Sequence, residues 1–111
     1  MIIAGSRSFT NYSLLCKTLE DLFPHPITIV SGHARGADKL GEAYAQAKGY
    51  DVLIMPAEWD KYGKSAGYRR NSKMAEQADA LIAFWDGQSR GTYHMINLAK
   101  AKGLPVHVVS Y

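Results

Sequence analysis

The sequence predicts an α/β fold of three layers, in which helices cover both faces of a doubly wound parallel sheet. Short apolar runs alternate with amphipathic segments along the 111 residues, which is the pattern of strands joined by crossover helices. The run at residues 1–4 is apolar on both faces, as a strand in the middle of a sheet must be. Five strands and four main helices fit this pattern, with the strand order 3-2-1-4-5 as the best match.

The first half of the chain supplies three strands and two helices. The strands are predicted at residues 1–4, 27–30 and 52–55. Asn11 or Thr10 caps the first helix, which Pro24 and Pro26 end. Its inward face is predicted to carry Leu15, Leu19, Leu22 and Phe23. The second helix stops at Gly49, and its inward face carries Ala37, Leu40, Tyr44 and Ala47.

The second half opens with the longest irregular stretch, residues 56–68, whose aromatic and small residues suit a lid or a wall beside a site. A helix follows at residues 69–78. The fourth strand begins at Asp79 or Ala80 and ends at Phe84. The last helix covers residues 91–102 and leads into a strand at residues 105–109.

Length and composition predict one globular domain over residues 1–111. Apolar residues make up 47% of the chain and charged residues 21%, which is enough for one compact core. No segment reads as a membrane span or a leader peptide, so a cytoplasmic protein is expected. The single cysteine, Cys16, excludes an internal disulfide. Because His25, His33, His94 and His107 lack ligand spacing, no metal site is predicted. No cofactor is expected either.

Three turns after strands carry the residue types that bind phosphate and ribose. Glycines allow close backbone approach, hydroxyl and arginine side chains donate hydrogen bonds, and a helix N-terminus attracts anions. The predicted ligand-binding residues in these turns are Gly5, Ser6, Arg7, Ser31, Gly32, Arg35, Gly36, Asp38, Asp86, Gly87, Ser89, Arg90, Gly91 and Thr92. In the order 3-2-1-4-5 the first and third turns flank the switch point between strands 1 and 4, where open α/β sheets bind ligands.

Arg70 and Asn71 complete the predicted site, with Arg70 directed at the ligand and Asn71 fixing a loop or a base. Solvated charges at the start of a helix are the structural alternative. The excess positive charge lies in the second half, where Lys61, Lys64, Arg69, Arg70 and Lys73 are close together in sequence. They form either a solvated face or an anion-binding surface. Four aromatic residues either stack on a base or pack in the protein: Trp59, Tyr62, Tyr68 and Trp85.

Five motifs, in this order, resemble the SLOG superfamily and more narrowly its small, often phage-encoded YspA/YpsA-related branch. They are residues 5–9, 31–38, 56–59, 66–75 and 83–92, so the similarity covers nearly the whole chain. The resemblance implies a Rossmann-like fold and a nucleotide or nucleotide-derived ligand such as a nucleoside phosphate or ADP-ribose. Relatives of that superfamily include the LOG phosphoribohydrolases, often described as lysine decarboxylase-like, and the single-strand DNA-binding core of the DprA proteins.

The resemblance also implies roles for particular residues. Gly87, Gly91 and Thr92 match the phosphate loop of the LOG enzymes, and Arg70 stands where those enzymes have an arginine near the glycosidic bond. The LOG enzymes place a catalytic glutamate pair after this loop, whereas Tyr93-His94-Met95 follows it here. Catalysis would then depend on Arg70 and on a substitute acid or base. Asp86 is the candidate for that role, and the alternatives Asp38, Glu58 and His94 stay open.

These observations favour a nucleotide-binding domain and leave two alternatives. One is a hydrolase that cleaves the N-glycosidic bond of a nucleoside monophosphate. The other is a module for single-stranded DNA, which would use the basic residues against phosphates and Trp59 or Tyr62 against bases. The apolar segment at residues 93–96 is consistent with a homodimer.

Overall fold

The computed structural model describes residues 1–23 and 26–111, and five parallel strands within them form one sheet in the order β3-β2-β1-β4-β5. The strands are β1 (Ile2–Gly5), β2 (Ile29–Ser31), β3 (Val52–Ile54), β4 (Leu81–Trp85) and β5 (Val106–Ser110). The helices are α1 (Tyr12–Leu22), α2 (Ala37–Lys48), the single turn α3 (Trp59–Tyr62), α4 (Ala66–Gln77) and α5 (Arg90–Ala101). The predicted doubly wound, Rossmann-like fold is therefore confirmed.

Two apolar clusters lie on opposite faces of the sheet and account for the three layers. Ile3 points to one face, where buried residues of α1 and α2 pack around it. Ile2 and Ala4 point to the other face, where α4 and α5 supply the buried side chains. This alternation follows from the two-residue repeat of a strand. Because β1 and β4 are covered on both sides, both read as apolar runs in the sequence.

Two residues, Thr10 and Asn11, were predicted as alternative caps for helix α1, and Asn11 is the one that caps it. The Asn11 side chain accepts a hydrogen bond from the Leu14 amide at 3.0 Å and so caps the helix. Pro24, one of the two prolines predicted to end this helix, lies outside the described residues. Leu22 was predicted to face the core, but it lies in the last turn and is exposed. Ala47 of α2 is exposed as well, and Ala45 is buried instead.

The prediction that residues 56–68 are irregular is wrong from Trp59 onward. Helix α3 and a 3-10 turn (Gly63–Ser65) follow directly, and α4 begins at Ala66, earlier than predicted. Gly67 weakens the helical pattern in the sequence, yet its missing side chain makes room for Trp59. A Cβ atom on Gly67 would be 3.3 Å from the indole ring. Tertiary packing against Trp59 thus outweighs the low helix propensity of glycine.

Met95 and Ile96 fill the core on the α5 side of the sheet. The segment at residues 93–96 is therefore no exposed apolar patch, since Tyr93 alone of its apolar residues is largely exposed. None of the helices in the described part of the chain is both long and apolar enough to span a membrane.

Candidate functional site

A cavity of about 500 Å³ opens at the C-terminal ends of β1 and β4, where the predicted switch point lies. The two strands are paired in register up to Gly5 and Phe84, so the turns that follow them begin side by side. Ten of the predicted site residues line the cavity: Gly5, Ser6, Arg7, Asp38, Arg70, Asn71, Asp86, Ser89, Gly91 and Thr92. The fold therefore brings together groups that are far apart in the sequence.

Two glycines let the turns after β1 and β2 pack against each other. A Cβ atom on Gly5 would lie 2.3 Å from the Phe84 carbonyl oxygen and 2.7 Å from the Cβ of Ala37. Gly36 has φ +80°, and its Cβ would lie 2.3 Å from the Ser6 carbonyl oxygen. Both positions exclude any side chain. Gly36 does not line the cavity, so its part is to hold the turn rather than to face a ligand.

Ser6 joins the turn after β1 to the turn after β4. Its buried hydroxyl accepts a hydrogen bond from the Asp86 amide at 3.1 Å. The Asp86 carboxylate then accepts two hydrogen bonds, from the amides of Gln88 at 2.8 Å and Ser89 at 2.9 Å. These bonds hold the pKa of Asp86 below its usual range. Asp86 therefore stays ionised at neutral pH, which suits it to accept hydrogen bonds and not to donate a proton.

The N-terminus of α5 presents hydroxyl groups to the cavity. Ser89 caps the helix by accepting a hydrogen bond from the Thr92 amide at 3.4 Å, and the two hydroxyl oxygens are 3.1 Å apart. The free amides and the helix dipole give this end a partial positive charge. Gly87 and Arg90, which were also predicted to bind the ligand, are exposed and do not line the cavity.

Arg70 reaches from α4 toward the turn after β2 and is held at two points. Its Nη1 donates to the Gly32 carbonyl oxygen, and its Nε donates to the Asn71 side-chain oxygen at 3.0 Å. Burial lowers the pKa of Arg70, and the charge of Asp38 acts in the opposite direction. The guanidinium still keeps its charge, because arginine is not deprotonated in proteins. A fixed, half-buried cation therefore lines the cavity.

Asn71 ties α4 to α5 beneath the cavity. Its side-chain nitrogen donates to the Gly91 carbonyl oxygen at 3.2 Å and lies 3.2 Å from Nδ1 of His94. Nδ1 of His94 must accept this hydrogen bond, because the side-chain nitrogen of Asn71 can only donate. Burial lowers the pKa of His94, which favours the neutral ring. Asn71 was predicted to fix a loop or a base; its contacts are instead with helix α5, and a contact with a base stays a prediction.

Asp38 is a buried carboxylate in the first turn of α2, and it also lines the cavity. Its Oδ2 accepts a hydrogen bond from the Ala34 amide at 3.2 Å. Burial raises the pKa of Asp38 to about 6, although the Ala34 amide and the charge of Arg70 lower it. Among the acids and bases considered from the sequence, Asp38 is the carboxyl group that both faces the cavity and titrates near neutral pH.

The other residues of the turn after β2 that were predicted to bind the ligand lie outside this cavity. The Ser31 hydroxyl is fully buried and donates to the Glu42 carboxylate at 2.7 Å, so it faces α2. Gly32 and Arg35 line a smaller cavity of about 350 Å³, which shares the walls Arg7 and Arg70 with the larger one. Two of the three turns thus meet directly at the switch point, and the other contributes chiefly Asp38.

The four aromatic candidates separate into two pairs. Trp59 and Tyr68 line the cavity and are about half exposed, and the Tyr68 ring also contacts the His94 ring edge-to-face at 4.6 Å between centroids. The Tyr62 ring instead packs against Lys61 and Arg69, and Trp85 stacks on Tyr93 at 5.7 Å between ring centroids. Trp59 and Tyr68 are therefore the two rings that a ligand in the cavity could contact.

Residues that were not predicted as ligand-binding also line the cavity: Ala4, Ser8, Ala34, Lys64, Gly67, Met74 and Met95. Lys64 belongs to the basic cluster, but its position at this cavity depends on the helical turns of residues 59–65, which the sequence did not reveal. Glu58, one of the alternative acids, lines a separate groove beside Tyr62. Within residues 1–23 and 26–111, no three His, Cys, Asp or Glu side chains form a group that could hold a metal ion. His25 lies outside these residues.

Fold and cavity together define a doubly wound α/β protein with a cleft at its switch point. The family model described as YspA, cpYpsA-related SLOG family matches residues 1–62. The chain is also 34% identical to the Gene 61 protein of Mycobacterium phage D29, over 96% of this chain and 92% of that protein. The chain belongs to the YspA, cpYpsA-related SLOG family. No solved structure matches it.

Proposed function

We propose that the chain binds a nucleotide or a nucleotide-derived ligand, such as a nucleoside phosphate or ADP-ribose, in the cavity between β1 and β4. Family membership supports a nucleotide-related function in general. The observation that carries the proposal is the fixed Arg70 guanidinium, which lines the same cavity as the hydroxyl-rich N-terminus of α5. A cation and a helix N-terminus that meet in one cleft favour an anionic group such as phosphate.

The other walls fit the remaining parts of such a ligand. Arg7 and Lys64 add positive charge at the rim, and Trp59 and Tyr68 offer ring faces on which a base can stack. The volume of about 500 Å³ lies within the range of small-molecule sites, which is roughly 300–1,000 Å³. The cytoplasmic location and the homodimer stay predictions.

The adjacent arginines Arg69 and Arg70 provide a matched test. Arg69 packs outside on the Tyr62 ring, whereas Arg70 lines the cavity. Calorimetric titrations would use AMP, ADP, ADP-ribose and a short single-stranded DNA. Arg70→Ala should weaken nucleotide binding by about 10- to 100-fold, because a charge-assisted hydrogen bond is lost. Arg69→Ala should bind within about twofold of the wild type, as exposed charges contribute little.

Two results would contradict the proposal. Equal affinity of wild type and Arg70→Ala for every nucleotide would show that nucleotides do not bind in the cavity that Arg70 lines. Binding of the DNA alone, with affinity that falls steeply as salt rises, would instead favour the single-strand DNA hypothesis. A pocket for one nucleotide depends on salt only weakly, because few phosphates are neutralised.

Hydrolysis of an N-glycosidic bond is the second candidate, and the state of Asp38 favours it. A carboxyl group with a pKa of about 6 beside a fixed arginine can exchange a proton near neutral pH. Arg70 would stabilise the phosphate or the departing base. Release of free base from a nucleoside monophosphate would support this function. Binding without release would leave the chain a binding protein.

A further inference from the structure

We propose that Asp38 makes the site specific for ribonucleotides, by accepting hydrogen bonds from the ribose hydroxyl groups of the ligand. This inference rests on the proposed function, because it assigns a part of the same cavity to the sugar. Asp38 is only 6% exposed, and yet it lines the cavity.

One oxygen of the Asp38 carboxylate is free to bind a ligand. Oδ2 accepts the Ala34 amide, whereas Oδ1 has no hydrogen-bond partner among the described residues. No fully buried side-chain oxygen or nitrogen in that part of the chain lacks a partner. Oδ1 is therefore not sealed in the protein, and the opening available to it is the cavity. This oxygen can therefore accept a hydrogen bond from a ligand in the cavity.

Arg70 does not complete this carboxylate. Its Nη1 and the Asp38 Oδ2 both lie close to Gly32, but within the described residues the two side chains form no ion pair within 4.0 Å. Nη1 and Nε of Arg70 are already bound to Gly32 and Asn71. The cavity is therefore lined by a carboxylate and a guanidinium side by side, and each can still form a hydrogen bond with a ligand.

The donor that fits beside Asp38 is neutral. A phosphate would be repelled by the carboxylate, and a ligand cation would be repelled by the neighbouring Arg70 and Arg7. A hydroxyl group donates to the carboxylate without adding charge, and the ribose of a nucleotide carries two adjacent hydroxyls. Ribose hydroxyls therefore match the chemistry on this side of the cavity.

The strand order places the three parts of a nucleotide in sequence across the site. The N-terminus of α5 follows β4, Asp38 follows β2, and Trp59 follows β3, with β1 between β4 and β2. Phosphate at α5, ribose at Asp38 and base at Trp59 thus follow the sheet from β4 to β3. Strands β4 and β2 lie two spacings apart, or about 10 Å. A diphosphate is therefore the better probe, since it is longer than a single phosphate.

The test compares ADP with 2′-deoxy-ADP and 3′-deoxy-ADP by calorimetric titration of the wild type and Asp38→Asn. The wild type should bind ADP about 10- to 100-fold more tightly than at least one deoxy analogue, because the missing hydroxyl leaves the carboxylate unpaired. Asp38→Asn should lose that preference. Asp51→Asn changes an exposed acid away from the cavity and should keep it. Thermal melting checks that both variants are folded.

Several outcomes would overturn the inference. Equal binding of ADP and both deoxy analogues by the wild type removes the sugar contact but leaves the proposed nucleotide site in place. Equal weakening of all three ligands in Asp38→Asn makes Asp38 a merely structural residue. If GDP is titrated alongside ADP, a preference between these two that changes in Asp38→Asn would assign the carboxylate to the base. Binding of none of the nucleotides would refute the proposed function itself.

Discussion

Replacing Gly32 by alanine should displace Arg70 without unfolding the protein. The new Cβ would lie 2.5 Å from Nη1 and 2.8 Å from Cζ of Arg70, and 2.8 Å from Oδ2 of Asp38. Gly32 is not among the glycines with positive φ, so its backbone accepts an alanine. The end of a long side chain moves more easily than backbone, and the guanidinium should therefore leave its place beside the Gly32 carbonyl.

The size of the effect follows from the bonds that Arg70 would lose. A hydrogen bond from a charged group contributes about 1.5–3 kcal/mol, so the Kd for ADP should rise about 10- to 150-fold. The protein should lose less, about 1 kcal/mol of unfolding free energy, because the displaced guanidinium is only half-buried and can hydrogen-bond to water instead. Gly32→Ala should thus reduce the free energy of ADP binding by more than it reduces the free energy of unfolding.

A double-mutant cycle separates this mechanism from a general disturbance. Calorimetric titration with ADP would compare Gly32→Ala, Arg70→Ala and the double variant with the wild type. In the Arg70→Ala background the alanine at position 32 has no guanidinium to displace and meets only Oδ2 of Asp38, so it should weaken binding much less than it does in the wild type. Wild-type affinity in Gly32→Ala, or full additivity in the double variant, would refute the reasoning.

Three other variants test the framework of the site. Gly36→Ala should destabilise the fold by more than Gly49→Ala in chemical denaturation, since both have positive φ but only Gly36 faces backbone at 2.3 Å; equal losses would contradict the packing argument. Asn71→Ala should cost about 1–3 kcal/mol of unfolding free energy, because it removes the hydrogen bonds of a buried side chain to the Gly91 carbonyl and to Arg70 Nε; an unchanged melting temperature would show that these bonds contribute nothing. The folded pKa of Asp38, about 6, exceeds its ordinary 3.8, so the stabilisation from this group is complete below about pH 4 and lost as pH rises through 6. That loss, about 2–3 kcal/mol, should be seen in urea denaturation of the wild type and be absent in Asp38→Asn; identical pH profiles would contradict it.

The fold could be predicted from the sequence because its central strands are short apolar runs. Residues 1–4 are apolar on both faces, and the central place of β1 follows directly from this. Once β1 is central, the turns after β1 and β4 must lie at the switch point. The helix around Trp59 could not be predicted, because Gly63 and Gly67 interrupt the local pattern and only the contact between Trp59 and α4 explains it.

The site could be predicted only in part, since side-chain direction depends on partners that are distant in the sequence. Ser31 is of a residue type that often binds phosphate, but its hydroxyl donates a hydrogen bond to Glu42 of helix α2 instead. Asp86 and Asp38 are both acids near glycines, and the sequence gives no reason to separate them. Two amides lower the pKa of Asp86, whereas burial raises that of Asp38. Such differences depend on tertiary packing and not on local pattern.

The most direct test of the nucleotide site is a titration of ¹⁵N-labelled protein with ADP, followed by amide chemical shifts. The proposal predicts shifts concentrated in residues 5–8, 34–38 and 86–92, together with Trp59 and Tyr68. No shifts at saturating ADP would contradict the proposal. So would shifts confined to the outer surface of α4 around Arg69 and Lys73, which would place the ligand outside the cavity.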